Sequence, residues 1–229
     1  MVRSGPTRVA LVDRHDLFSD CLRAVLETRG FAYHRVPIPA GTDQDDLVRS
    51  RLLEVRPDVA LVNANLGVAR RVGALIGEVS RGGVAVVVLV DVDDEVRWGQ
   101  YLAAGARAVA PMSGSLASVI SAVRRLGRGE PVLDRAERDR LIALGRRRNA
   151  EVRAAAGRIE RLSAQEGAVL RELMAGHAVP EIATAHRVAV ATVRTQVKGV
   201  LAKLEVSSQL SAVAVAHVVG WTEHPTNAA

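Results

Sequence analysis

Aromatic side chains make up only 3% of this 229-residue chain, so any core it buries is aliphatic, built from Val, Leu, Ile and Ala. A single cysteine, Cys21, excludes an internal disulfide and fits a reducing compartment. It lies beside the apolar stripe of the first amphipathic segment, where a packed thiol is expected rather than a redox sensor. No apolar run approaches the roughly 20 residues that span a bilayer. The opening MVRSGPTRVALVD lacks the basic, apolar and small-residue order of a secretory leader. A cytoplasmic location without membrane association is therefore expected. Lysine is nearly missing: Lys198 and Lys203 are the two present, and arginine supplies the other cations. With the abundance of Ala, Val and Gly, that bias points to a GC-rich coding sequence, as in actinobacteria. It also weakens any argument from the net charge of +6, which is spread along the chain.

Catalytic signatures are missing too. No glycine-rich phosphate loop follows the first apolar run, where the chain reads DRHDLF, and H-E-x-x-H, C-x-x-C and G-x-S-x-G do not occur. His15, His34, His177, His186, His217 and His224 are scattered without metal-ligand spacing. No enzyme activity, cofactor or metal is expected.

What is present divides the chain. Arg8–Asp13, Asp58–Asn63 and Val84–Val90 are short Val-rich runs of the kind that form strands buried on both faces, with weaker runs at Phe31–Val36 and Arg107–Ala110. Between them lie helical patterns: Leu17, Leu22, Val25 and Leu26, ending at Gly30; Leu47, Leu52 and Val55, stopped by Pro57; Val72, Leu75, Ile76 and Val79; then Val96–Ala104 and Leu116–Leu126. Five strand–helix repeats imply a doubly wound parallel sheet, for which the order 2-1-3-4-5 is expected. Residues 1–128 form this α/β domain. Residues 129–160 read as a connecting helix with a charged linker around Arg146, Arg147 and Arg148, a stretch assigned to solvent or to a DNA backbone. Residues 161–229 read as all-helical.

In the last part, Ser163 and Glu166 stand in capping-box relation, Gly176 ends the helix they start, and Pro180 suits the first turn of a short helix. A turn at His186 and Arg187 leads to a longer helix from Val190 to Leu204, and Ser208 caps a last one. On the longer helix Val193, Val197, Val200, Leu201 and Leu204 share one face; Ala191, Arg194, Thr195 and Lys198 share another, free of carboxylates. A short helix, a tight turn and a longer cationic helix form the arrangement that enters the DNA major groove. Arg194 and Lys198 suit guanine O6 and N7, and Thr195 a thymine methyl or a phosphate. Thr192, Gln196 and Lys203 flank that face and suit backbone contacts.

The stretch LSAQEGAVLRELMAGHAVPEIATAHRVAVATVRTQVKGVLAKLEV resembles the helix-turn-helix of the NarL/FixJ (LuxR-type) regulators, through Glu166, Val169, Leu170, Gly176, Glu181, Ile182, Ala183, Thr192, Val193, Val197, Leu201, Lys203, Leu204 and Val206. The resemblance implies that Arg194, Thr195 and Lys198 face base edges and that the final helix pairs two copies on a two-part site. The chain departs from the family at Ala178, Val179 and Pro180, at Ala189 where a Ser or Thr usually caps the recognition helix, and at Ser207 and Gln209, where arginines are common. Residues 161–229 carry six cations against five acids, so modest affinity for one copy is expected.

The α/β domain resembles the receiver domain of two-component response regulators through VALVDRHDLFSDCLRAVLE, PDVALVNANLG and VVVLVDVDDEVRWGQYLAAGARAVA. Such domains accept a phosphoryl group on an aspartate beside a Mg²⁺ site. Position by position, the resemblance implies an incomplete site. Asp13 is present, but Arg14 replaces the second acid, Asn63 the acceptor, Val90 the hydroxyl residue, Met112 the lysine and Val109 the aromatic switch residue. Asp13 with one amide oxygen is a poor Mg²⁺ site, and the Arg14 guanidinium is expected in the cation's place. The expected function is a phosphorylation-independent, DNA-binding transcription regulator of double-stranded DNA, whose receiver forms a homodimer or a heterodimer with a related regulator. The alternative is control by a small-molecule ligand in the vacated pocket.

Overall fold

The computed structural model describes residues 5–38, 45–66 and 69–221. The chain divides into two compact units, residues 1–148 and 149–229.

The first unit alternates β1 (Arg8–Asp13), α1 (Asp16–Thr28), β2 (Ala32–Pro37), α2 (Asp45–Val55), β3 (Val59–Asn63), α3 (Ala69–Arg81), β4 (Ala85–Val90), α4 (Glu95–Ala104), β5 (Ala108–Pro111) and α5 (Leu116–Gly127). All strand pairings are parallel, in the order β2-β1-β3-β4-β5, as expected. Register explains why the strands read as unbroken apolar runs: successive side chains point to opposite faces, and both faces are covered. Ala10, Val12, Ala60, Val62, Val86 and Val88 enter one layer with Leu52, Ile76, Val79 and Leu102. Val9, Leu11, Val59, Leu61, Val87 and Leu89 enter the other with Leu22, Leu26, Ile120 and Val123.

Element ends follow local chemistry. Asp94 caps α4 by accepting from the backbone N–H groups of Val96 and Arg97, which assigns the acidic run before α4 to helix initiation. Gly83, at φ +83°, makes the turn into β4.

Two expectations on α1 fail. Leu17 is exposed at 79%, and Cys21 is exposed rather than packed. At 3.6 residues per turn, Leu17 lies roughly 140° and Cys21 roughly 100° from Leu22 around the helix. Phe18 and Ser19 take the inward positions instead. The side chain of Leu47 lies outside the described residues.

The segment read as a connecting helix followed by a charged linker is one continuous helix, α6 (Arg135–Glu160), with Arg146, Arg147 and Arg148 in its middle turns. The boundary between the units falls within it. Its first half belongs to unit one, where Leu141 is buried and Leu133 and Ile142 pack against the sheet's first layer. There α6 crosses α4 at Gly99 and Gly145. A Cβ on Gly99 would sit 1.9 Å from the Leu141 carbonyl oxygen, and one on Gly145 would sit 2.1 Å from the Gly99 carbonyl carbon. The helices touch backbone to backbone, and no side chain larger than hydrogen fits. Arg140 fastens the crossing from its rim: it donates to both carboxylate oxygens of Glu95 on α4, at 2.6 and 3.0 Å, and to Glu137, at 2.8 Å. Hydrogen bonding to Arg140 lowers the pKa of both acids.

The second unit continues through α7 (Ala164–Met174), α8 (Val179–His186), α9 (Val190–Leu204) and α10 (Gln209–Val218). Val169, Leu173, Ile182, Ala183, Val193 and Val197 form one apolar cluster; Ile159, Leu170, Val200, Leu204, Ala212 and Ala216 form the other. Among the described residues, no single helix is long and apolar enough to cross a membrane.

Candidate functional site

Helix α9 receives its two faces from its sequence. Val193, Val197, Val200 and Leu204, spaced by three or four residues, are buried, and this fixes which residues point away. Thr192, Arg194, Thr195 and Lys198 are exposed, while Gln196 and Lys203 are half-buried. The turn before α9 is tight because Arg187 closes α8 in the left-handed region, at φ +54° and ψ +43°. Ala189 begins α9 with no side-chain cap, leaving the first N–H groups of the helix without that partner. The Thr195 hydroxyl donates to the Ala191 carbonyl at 3.0 Å, which leaves its methyl and its oxygen lone pairs outward.

The cations of this unit sort by what holds them. Arg158 and Arg161 pair with Glu205, at 3.3 and 3.7 Å. Arg171 lies over the Trp221 ring, 5.8 Å from its centroid. Lys203 donates to Glu166 Oε2 at 2.6 Å. Arg153, Arg187, Arg194 and Lys198 have no ion pair among the described residues, and two of these four lie on the outward face of α9.

Glu166 is a junction that spacing revealed only in part. It closes the capping box with Ser163, accepting from Ser163 N at 2.7 Å, and the same oxygen takes the Lys203 ammonium. The Lys203 hydrogen bond, followed by that from the Ser163 backbone, holds its carboxyl below the usual range. Gly199 makes room for it, since a Cβ there would lie 2.5 Å from Glu166 Oε1. Lys203, expected at a DNA backbone, is thus held by α7, and it orients α9.

Sequence spacing missed a second junction. Glu172 meets His177 Nδ1 at 2.6 Å and His186 Nε2 at 3.5 Å, tying α7 to both ends of α8. The hydrogen bond with His177 lowers the Glu172 pKa. The two histidines lie 5 and 14 residues from Glu172, separations with no regular period to betray them.

In the first unit, the strand ends bring Asp13, Asn63 and Val90 together; all three are buried. Asp13 Oδ1 accepts from the backbone N–H of Arg14 at 2.6 Å and of His15 at 3.1 Å, and from Asn63 Nδ2 at 3.3 Å. The His15 ring completes the set, with Nδ1 at 3.0 Å. Arg14 is exposed and makes no side-chain hydrogen bond among the described residues, so the cation expected beside Asp13 is replaced by the His15 ring. The α1 helix starts at Asp16, and the turn leading into it carries Arg14 outward and His15 back over the carboxylate. Asn63 Oδ1 accepts from Asn65 N, and Asn65 in turn donates to Asp91 at 3.0 Å. Asp13 Oδ2 is buried without a hydrogen-bond partner. Val109 is half-buried, and Met112 is exposed at the rim.

This donor set does not suit Mg²⁺, which requires several hard oxygens. The Asn63 amide oxygen is already engaged, its NH₂ faces Asp13, and the second acid is missing. Among the described residues no cluster of His, Cys, Asp and Glu could hold a metal.

Residues 160–216 match the luxR family of bacterial regulatory proteins (GerE), and the span covers Glu160 through α7, α8 and α9 into α10. No curated protein sequence matches the chain. Among solved structures, the chain is similar to the response regulator RcsB of Salmonella enterica serovar Typhimurium bound to promoter P1flhDC in the presence of phosphomimetic BeF3-. Identity is 20% and the TM-score 0.49, over 94% of this chain and 100% of that one. It is also similar to ChrA, the response regulator of a heme-sensing two-component system, at 19% identity and a TM-score of 0.45, over 93% and 97%.

Proposed function

We propose that this protein is a transcription regulator that reads duplex DNA with α9 of a luxR-family helix-turn-helix and works without phosphotransfer, as a binding protein rather than a catalyst. The observation that carries the reading is the sorting of cations in the second unit. Arg158, Arg161, Arg171 and Lys203 are engaged within the unit, whereas Arg194 and Lys198 stand exposed, with no ion pair among the described residues, side by side on a helix without a single carboxylate. Arg194, Thr195 and Lys198 take base edges; Thr192 and Gln196 take the sugar–phosphate backbone. Lys203 contributes to that backbone contact by fixing the pitch of α9 against α7. So few free cations give one module a weak hold on DNA, so a homodimer or a heterodimer with a related regulator is the binding form.

Two features support independence from phosphorylation. An amide nitrogen is not a nucleophile that forms an acyl phosphate, and the Asn63 NH₂ is spent on Asp13. A second reading, a small-molecule ligand at these strand ends, is favoured by one observation: the buried Asp13 Oδ2 has no donor, and a ligand carrying one would satisfy it.

Genome-wide mapping of bound sites, followed by fluorescence anisotropy on a recovered site, tests the main reading. Binding that survives unchanged in the Arg194→Ala/Lys198→Ala double variant would sink it. Stable labelling of the wild-type chain by acetyl phosphate would end the phosphorylation-independent part.

A further inference from the structure

The sheet of the first unit has an open cavity at the end opposite Asp13 and Asn63. It lies where β4 and β5 begin, has a volume of about 400 Å³, and is lined by Ser80, Val84, Ala85 and three arginines, among other residues. The size falls within the range of small-molecule sites, roughly 300–1,000 Å³. Arg81 comes from the last turn of α3, Arg107 from the start of β5 and Arg138 from α6. No carboxylate lines the cavity, and none of the three arginines has an ion pair among the described residues. Arg107 and Arg138 repel each other, the Asp139 carboxylate next to Arg138 offsets this only in part, and an anion among the three guanidinium groups would turn each contact attractive.

The walls suit a phosphate. Gly77, Gly83 and Gly105 bring bare backbone to the rim. Gly105, at φ +125°, is held by Ser80 Oγ donating to its carbonyl at 3.1 Å. Arg138 reaches in from α6 and donates through Nη1 to the carbonyls of Ala106 and Arg107, at 3.0 and 3.4 Å, which fixes the plane of its fork and leaves Nη2 and Nε for a ligand. Burial, and after it the charge of Arg107, lower the Arg138 pKa, against a smaller opposing effect of the neighbouring Asp139 carboxylate.

We propose that this cavity binds a small molecule carrying a diphosphate or longer phosphate group, held by Arg81, Arg107 and Arg138. The convergence of the three side chains on one concavity selects a compact ligand over a duplex backbone, which presents its phosphates along a line. The site is separate from the strand ends considered above. A ligand there grips α6 at Arg138, two turns before the Gly145 crossing, on the helix that continues into the second unit.

Thermal unfolding of the full chain tests the assignment at fixed ionic strength, with inorganic pyrophosphate, tripolyphosphate, ATP and GTP as probes and sulfate as the control anion. A ligand that binds only the folded state raises Tm, and about 2–5 °C is expected at millimolar pyrophosphate. The Arg107 side chain is exposed and makes no hydrogen bond among the described residues, so Arg107→Gln keeps the fold and should weaken pyrophosphate binding at least tenfold by calorimetry, while Arg124→Gln, away from the cavity, leaves it unchanged. A nucleotide effect exceeding that of pyrophosphate extends the site to the nucleoside; equal effects confine it to the phosphates, and both support the proposal. No rise beyond that given by sulfate, or an equal rise in Arg107→Gln, overturns it.

Discussion

Replacing Gly99 by alanine adds one methyl group at a crossing that has no space for it. The new Cβ would lie 1.9 Å from the Leu141 oxygen and 2.8 Å from the Gly145 nitrogen. Both obstacles are backbone atoms of α6, so no side chain can swing aside and α6 itself must lift. Parting the helices by about 1 Å forfeits roughly a quarter to a half of the dispersion energy across the contact. Overpacking of this kind costs up to about 3 kcal/mol. Alanine returns about 1 kcal/mol as the better helix former. The net loss is about 2 kcal/mol, or about 4–8 °C in Tm for a domain of this size. The assay is thermal unfolding followed by Trp98, which lies on α4 itself, in a Trp221→Phe background that silences the other tryptophan. Gly73→Ala on α3 is the internal standard: nothing lies within 4 Å of its Cβ, so it should gain about 0.5–1 kcal/mol. Gly145→Ala should lose as much as Gly99→Ala. The double variant should cost less than the sum, because the second methyl enters a gap that the first has opened. A Gly99→Ala protein as stable as Gly73→Ala would show that α6 does not dock on α4.

Three further outcomes are expected. Arg194→Ala should cost about 1–3 kcal/mol of DNA affinity and relax sequence preference, whereas Thr192→Ala, which removes an uncharged backbone contact, should weaken binding to all sequences alike and leave the log–log salt dependence unchanged; anisotropy titrations from 50 to 200 mM salt separate the two. Because Glu166 has its pKa lowered in the fold, its pairing with Lys203 and Ser163 stabilises the protein above the ordinary carboxylate range and is lost as the pH falls through the lowered value. The Tm gap between wild type and Glu166→Gln should therefore stay constant from pH 8 to 6 and close in acid, and a gap that widens in acid would refute the assignment. Asn63→Asp should lower Tm at neutral pH by setting two carboxylates about 3.3 Å apart, should recover part of the loss at pH 4, and should still take no label from acetyl phosphate.

The sequence disclosed most where a single physical rule acted alone. Unbroken Val runs announced a sheet covered on both faces, and the positions of Val193, Val197, Val200 and Leu204 fixed the outward face of α9. It was least legible where two distant segments meet. The 135–160 segment has few β-branched residues and many arginines, a composition that serves a solvated linker and a helix equally well. The signal for its docking was the glycine pair Gly99 and Gly145, but an isolated helical glycine has no meaning until its partner across the crossing is known. Lys203 and Glu166 are 37 residues apart, and the spacing within α9 alone put Lys203 on the DNA side. On α1 the difference is one position in phase: Leu17 has the apolar character of the stripe, but Phe18 and Ser19 are the residues that continue it inward.

The strand-end site shows how one atom changes the physics of a pocket. With aspartate at position 63, two buried carboxylates would face each other, a placement that is tenable when a cation lies between them or one is protonated. With asparagine, the same reach turns repulsion into a donated hydrogen bond to Asp13 Oδ1, and the His15 ring and two backbone N–H groups complete that oxygen's partners. The hydrogen bond then holds the two side chains together with no cation between them. What does not disappear is the cost of Asp13 Oδ2, buried with no donor. Asp13→Asn would give that position an NH₂ group with no acceptor, so stability should not improve. Asp13→Ala, which removes both oxygens, would strand the His15 and Asn63 donors together. Asp13 thus serves the geometry of the turn into α1 through its Oδ1 alone.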